Sequence, residues 1–257
     1  MPTAADIAQH LDALLRVHEI PDYPPALNGL QLQSRGEVTR VAAAVDFSLR
    51  TVDAAIAADA DLLLVHHGMF WGGAQRITGL VYDRIARLVA RDVAVYAAHL
   101  PLDAHPTLGN NALLARTLGL VPSAGFARYQ TVDVGLRGEC DERTSNIVER
   151  ARAHAHRHDG DVVATPFAAD RRTYRWAVCT GAGASSDTLR EALSLGVDTL
   201  IVGEGPHHTA VEAADQGLVV IYAGHYATET LGVCALAEEV ERAFGVPWTF
   251  VEAPTGL

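Results

Sequence analysis

Three observations predict an α/β chain built from two related βαβαβ units. Short apolar runs alternate with amphipathic segments twice, over residues 38–98 and again over 175–223. The runs are apolar on both faces, as strands of a parallel sheet covered by helices on both sides must be. The halves also share local sequence. Ala60-Asp61-Leu62-Leu63-Leu64-Val65 parallels Val197-Asp198-Thr199-Leu200-Ile201-Val202, and Tyr96-Ala97-Ala98-His99 with Asp103 parallels Tyr222-Ala223-Gly224-His225 with Glu229. A histidine followed four positions later by a carboxylate, after equivalent strands, indicates a duplication. The expectation is mostly parallel sheets, pseudo-twofold related units at residues 1–124 and 125–257, and a C-terminal segment able to pack back on the first unit.

The elements follow in order. Thr3 and Asp6 form a capping arrangement, and Ile7, Leu11, Leu14, Leu15 and Ile20 mark the apolar stripe of a first helix. Pro21, Pro24 and Pro25 end it. Strands are expected at 40–45, 62–65 and 93–98, with helices at 49–58 and 77–90. In the second half the strands are 175–180, 199–202 and 218–223, the helices 188–195, 209–214 and 228–244. Residues 125–173 read as an irregular bridge with a strand at 131–136, a helix at 145–156 and an extended stretch at 162–164.

Composition narrows the chemistry. The chain has 257 residues, 49% hydrophobic and 20% charged, which suffices for sizeable cores. All 20 of its Lys+Arg residues are arginine, so Schiff-base, Walker-A and lysine general-base chemistry are excluded. A net charge of −11 disfavours nucleic-acid and membrane-surface partners. Three scattered cysteines make neither a disulfide framework nor a cysteine zinc site. Cys179 and Cys234 lie in apolar surroundings, which fits core thiols in a reducing compartment. With no apolar stretch of membrane-spanning length and no signal-peptide pattern at the first residues, the expectation is a cytoplasmic protein.

Ligands of parallel α/β sheets bind at the carboxyl ends of the strands, and there the chemistry-bearing residues gather. His66-His67 follows the second strand, His99 and Asp103 the third, and His225 and Glu229 the last. Neutral imidazole with carboxylate suits zinc, iron, manganese or nickel. Adjacent histidines on a strand point to opposite faces, a restriction that leaving the strand at Gly68 would relax. His225 and Glu229, four apart at a helix start, can face one point. Two or three histidines with two carboxylates, one able to bridge, suit a two-metal centre.

Several motifs then carry a resemblance to a known family. Asn28-Gly29-Leu30-Gln31, Val65-His66-His67-Gly68-Met69-Phe70-Trp71, His99-Leu100-Pro101-Leu102-Asp103-Ala104-His105-Pro106, Gly109-Asn110-Asn111, Gly203-Glu204 and Gly224-His225-Tyr226-Ala227-Thr228-Glu229 resemble the dinuclear-metal-centre proteins known as GTP cyclohydrolase 1 type 2 homologues. The match runs nearly end to end. It implies two linked α/β domains, a homohexamer and two divalent metal ions per chain. Carried over by motif, His67 and Asp103 would hold one ion, His66 and His225 the other, and Glu229 would bridge. Tyr226 departs from relatives that carry a histidine there. His99 is expected beside the metals as a residue supporting the ligands or as proton carrier, and Glu204, the counterpart of His67, reads either as the other acid or base or as a solvated loop carboxylate.

The function expected is metal-dependent hydrolysis of a small molecule by a metal-activated water, with a nucleotide suggested by the family reaction, ring opening of GTP. The alternative is a non-catalytic metal-binding hexamer serving metal delivery or partner proteins. Four further features have open readings. Thr180-Gly181-Ala182-Gly183-Ala184-Ser185-Ser186 is either a phosphate cradle or a tight turn. Asn28 and Gln31 either line a cavity or bond backbone. Trp71 either covers the metals or fills core. His207-His208 reads as a loop, and His154, His156 and His158 as an exposed helix end.

Overall fold

In the computed structural model, which describes residues 1–257, the Thr3 hydroxyl accepts the Asp6 N–H at 3.2 Å and Asp6 accepts the Thr3 N–H at 2.8 Å. With those donors met, helix α1 runs over Ala4–Leu15. Its Ile7, Leu11 and Leu15 are buried, each worth about 1.5–3 kcal/mol relative to exposure. There follow β1 (Gly29–Leu32), β2 (Val41–Asp46), α2 (Leu49–Ala57), β3 (Leu62–His67), α3 (Leu80–Ala90), β4 (Ala94–Ala97) and α4 (Leu100–Asp103). Next come α5 (Asn110–Thr117), β5 (Pro122–Tyr129), β6 (Val132–Arg143), α6 (Thr144–Ala155), β7 (Val163–Ala164), β8 (Arg172–Cys179) and α7 (Ser186–Ser194). The chain ends with β9 (Thr199–Val202), α8 (His207–Asp215), β10 (Val219–Tyr222), α9 (His225–Phe244) and β11 (Trp248–Phe250).

The chain divides into two units, and the boundary differs from the expected 124/125. One unit is Met1–Leu102 with Gly232–Ala253; the other is Asp103–Leu231 with Pro254–Leu257. Two packing facts explain the shift. Leu114, Leu118 and Leu120 enter the core of the second unit beside Ile147 and Trp176. β11 pairs in parallel with β2, Trp248 opposite Val41, which returns the C-terminal segment to the first unit.

The first unit holds a sheet of order β1-β4-β3-β2-β11. Its strands are parallel except β1, which runs antiparallel to β4. Val52, Leu63, Val65, Leu88, Val95 and Val251 form a core of this unit. The second sheet has the order β5-β6-β8-β9-β10-β7. Only β8, β9 and β10 are parallel there; β5, β6 and β7 are antiparallel to their neighbours. This sheet is therefore mixed rather than mostly parallel, because the first part of the expected bridge is a β5–β6 hairpin. Tyr129 pairs with Val132 across a two-residue turn in which Gln130 has φ 48°. The charges of Arg137, Glu139 and Asp141 hid the length of β6 by breaking the apolar pattern.

The duplication is visible in hydrogen bonds inside each unit. Ser48 and Thr51 cap α2 as Ser185 and Thr188 cap α7. Thr51 Oγ1 donates to the Asp46 carbonyl at 2.8 Å, and Thr188 Oγ1 to the Gly183 carbonyl at 2.7 Å. Asp61 accepts the N–H groups of Thr39 and Arg40; Asp198 accepts those of Tyr174 and Arg175. No helix is long and apolar enough to cross a membrane.

His154 departs from the expected exposed helix end: it is buried, whereas His156 is exposed. An arginine can only donate, so Arg157 Nη2, 3.0 Å from His154 Nδ1, fixes the neutral tautomer whose Nε2–H donates to the Ala227 carbonyl at 2.8 Å. Burial pushes this imidazole down to about 4. The unfolded chain takes up that proton near pH 6.5, so the interaction contributes fully above that value and is lost as pH falls toward 4. We expect denaturant unfolding to report a loss approaching about 3 kcal/mol across this window, and His154→Gln to flatten it. An equally steep slope in the variant would refute the assignment.

Candidate functional site

β3 carries His66 and His67 as its last two residues, so both histidines lie within the strand and are buried. Adjacent strand residues diverge at Cβ, yet the two imidazole centroids lie 4.8 Å apart with both residues still in the strand. His99 follows β4, and one nitrogen from each of His66, His67 and His99 lies within 4.8 Å of the others. The imidazole cluster of the first unit thus has three members.

Each ring is held through Nδ1. His66 Nδ1 lies 2.8 Å from the Ala98 carbonyl, His67 Nδ1 2.8 Å from Asp46 Oδ1, and His99 Nδ1 2.8 Å from Asp22 Oδ1. An Nδ1–H given to oxygen leaves Nε2 with its lone pair directed elsewhere, the arrangement found in metal-binding histidines. Asp22 is itself well supplied. Its other oxygen accepts from Asn28 Nδ2 at 2.8 Å and from the Leu100 N–H at 2.9 Å. Burial would raise this carboxyl, but His99, Asn28 and the Tyr23 N–H outweigh it and hold it below the usual range.

Asn28 and Gln31 bond within the frame. Asn28 Oδ1 accepts the His99 N–H at 2.7 Å, while Gln31 accepts the Met69 N–H and donates to the carbonyls of Ala26 and Leu27. Gly68 makes that fastening possible, since a Cβ there would sit 2.4 Å from the Gln31 amide.

In the second unit, His225 opens α9 and Glu229 lies one turn on. His225 Nδ1 is 2.7 Å from Glu204 Oε1 and its Nε2 3.1 Å from Glu229 Oε2. Burial alone would depress this imidazole; Glu229 and Glu204 together outweigh it and push it up to about 9. The imidazolium form of His225 is thereby favoured, with an Nε2–H facing Glu229 Oε2. Donors about 2.0–2.2 Å from one ion lie roughly 3 Å from each other, so the 3.1 Å pair also suits a cation in that proton's place.

Asp103 is buried and accepts Asn110 Nδ2 at 2.8 Å. Asn111 ties the end of β8, accepting the Thr180 N–H at 2.9 Å. Gly181 follows with φ +60°, and a Cβ on it would meet Glu229 Oε1 at 2.0 Å. Glycine keeps a cradle open over that carboxylate. Cys179, pushed up to about 12 by burial and by Asp103 and Glu229, remains a protonated thiol.

In the 180–186 loop, the N–H groups of Thr180, Gly181, Ala184 and Ser185 donate to Asn111, Thr228, Glu204 and Thr188, so these four amides bond within the unit. His207 and His208 are exposed and begin α8 rather than lying in a loop. Sequence reasoning missed Asp22 and Asp46. An aspartate ending the apolar run of β2 was the available signal for Asp46; nothing local pointed from Asp22 to His99, 77 residues away.

The donor set fits divalent metal ions: imidazoles oriented through Nδ1, a carboxylate one helical turn from His225, and space beside it that a methyl group would fill. Two outcomes are expected. Asp46→Asn and Glu204→Gln should each weaken zinc affinity about 10–100-fold with the fold intact by circular dichroism, and Gly181→Ala should lose zinc more severely. Unchanged zinc affinity in all three would refute the arrangement. Zinc uptake below pH 9 should also release a proton from His225, so affinity tightens as pH rises toward that value. Calorimetry in buffers of different ionisation enthalpy reads this, and absence of proton release at pH 7.5 would contradict it.

Known proteins share this frame. The profile of Duf34/NIF3 (NGG1p interacting factor 3) matches residues 2–255. The "GTP cyclohydrolase 1 type 2 homolog" of Halobacterium salinarum is 43% identical over 255 residues, covering 98% of this chain and 99% of that one. Its counterpart in Deinococcus radiodurans is 40% identical over 252 residues, covering 98% and 94%. Among solved structures, protein ybgI superposes with a TM-score of 0.88 at 32% identity, covering 99% of this chain and 100% of that one. TTHA1606 from Thermus thermophilus gives 0.86 at 36% identity with the same coverage. With a family profile spanning nearly the whole chain and relatives at 40% identity or above across it, the chain belongs to the DUF34/NIF3 family, among the GTP cyclohydrolase 1 type 2 homologues.

Proposed function

We propose that this protein is a metal-dependent hydrolase of a small molecule, using two divalent ions per chain in a homohexamer. One observation carries the reading: His66, His67, His99 and His225 are each tied through Nδ1 to an oxygen. Histidines that only fill a core need no such uniform orientation. The ligand set implied by the family resemblance is His67 and Asp103 for one ion, His66 and His225 for the other, and Glu229 for both. Zinc, iron, manganese and nickel suit these donors. When bound, such ions supply Lewis acidity and a water of lowered pKa.

The remaining roles belong to side chains. Asp22 holds the His99 ring through Nδ1, so His99 Nε2 is oriented to take and pass a proton. Glu204 spends one oxygen on His225 and keeps a side chain 40% exposed, which orients the imidazole and opens a proton route to water. The name shared by the relatives supports a nucleotide such as GTP as substrate. A second reading, a metal-binding assembly that delivers ions or works through partner proteins, draws support from the family description as an interacting factor.

Metal content and turnover measured on the same samples test the proposal. Wild-type protein should take up two ions and hydrolyse a nucleotide; Glu229→Ala should lose most of both ions. His99→Asn should keep the ions while its rate falls roughly 10²–10⁴-fold, the usual worth of general acid–base catalysis. Fully loaded wild-type protein inert toward a broad nucleotide panel would sink the hydrolase in favour of the assembly.

A further inference from the structure

Two aromatic side chains stand beside the imidazole cluster of the first unit without being buried by it. Tyr23 is 48% exposed and Trp71 38% exposed. The Trp71 ring centroid lies 4.3 Å from that of His99 and 4.8 Å from that of His67; Tyr23 lies 6.0 Å from His99. The two rings meet edge to face, 6.5 Å apart at 87°, and form two walls of a corner with the histidines at its base.

The residues that place the histidines also place these walls. Tyr23 follows Asp22, the acceptor for His99, and precedes Pro24 in a 3-10 turn whose proline fixes the backbone. Trp71 closes a turn directly after His67 and Gly68, its N–H 3.3 Å from the Gly68 carbonyl. Aromatic rings carry the largest apolar area of any side chain and favour stacking on other rings. These two keep more than a third of their surface in water next to buried, chemistry-bearing groups.

The geometry points to Tyr23 and Trp71 as the substrate-selecting residues of the proposed hydrolase, recognising a planar aromatic or heteroaromatic ring. One wall can stack on the face of such a ring while the other meets its edge, presenting the attached atoms to the histidines. This rests on the metal-site reading for the chemistry, but the stacking itself needs no ion.

The test uses the full chain, loaded with zinc and metal-free, with guanosine as the planar-ring probe and ribose 5-phosphate as the ringless one, in equilibrium dialysis with zinc content measured on each sample. Guanosine should bind saturably. Trp71→Ala and Tyr23→Ala should each weaken it roughly 5- to 100-fold, the range for loss of one base–aromatic stack. Trp71→Phe and Tyr23→Phe should retain most of the affinity, with zinc content unchanged throughout. Ribose 5-phosphate binding should be the same in wild type and Trp71→Ala. The inference is overturned if wild type binds no guanosine in either form, if both alanine variants bind it like wild type, or if Trp71→Ala weakens the two probes equally. Should Trp71→Ala unfold, Tyr23→Ala against Tyr23→Phe decides. A wild type that takes up no zinc defeats the metal reading by itself, and the metal-free comparison then still decides this one.

Discussion

Four histidines in this protein give up Nδ1 to an oxygen that the fold has placed for it, and the candidate chemistry depends on that constraint. A buried imidazole with one nitrogen fixed can offer only the other, and it can do so in only one direction. The acceptors are unlike one another: the backbone carbonyl of Ala98, two aspartates from loops and strand ends, and Glu204. What they share is location near the carboxyl ends of parallel strands, where chain direction brings loops and helix starts together. Orientation is thus a product of sheet topology more than of any single motif.

The duplicated frame shows how a common scaffold has been furnished differently. Phe47 N–H donates to the His67 carbonyl in one unit, as Ala184 N–H does to the Glu204 carbonyl in the other, so His67 and Glu204 occupy equivalent positions. The Asp46 and Gly183 carbonyls are equivalent acceptors in the same way. One unit therefore places an imidazole where the other places a carboxylate, and a carboxylate where the other has no side chain. The capping Ser/Thr pairs and the aspartates that tie neighbouring strands are common to both, because they support the fold whichever residue stands at the strand end.

Charge balance in the second unit follows from the same economy of positions. His225 stands between Glu204, 2.7 Å from Nδ1, and Glu229, 3.1 Å from Nε2, and the two carboxylates together favour its doubly protonated imidazolium form. Gly181 leaves the space over Glu229 clear, while burial among carboxylates keeps Cys179 from becoming a competing thiolate. In the 180–186 loop, Asn111, Thr228 and Thr188 each accept an amide, of Thr180, Gly181 and Ser185 in turn.

Much of this was legible in the amino-acid order. The period-2 and period-3.6 patterns located the repeated strands and helices, the capping pair Thr3 and Asp6 marked the first helix, and strand ends pointed to His66, His67, His99, Asp103, His225 and Glu229. Those signals are local, and local sequence determines them. Tertiary structure decided what depends on residues far apart in the chain. β11 joined the first sheet, the charged length of β6 became a strand by pairing with β8, and His154 was buried by contact with Ala227. Asp22 and Asp46 acquired their roles only when His99 and His67 were folded against them. A hydrogen bond across 77 residues leaves no periodicity to read; it exists only once sheet topology has closed the distance.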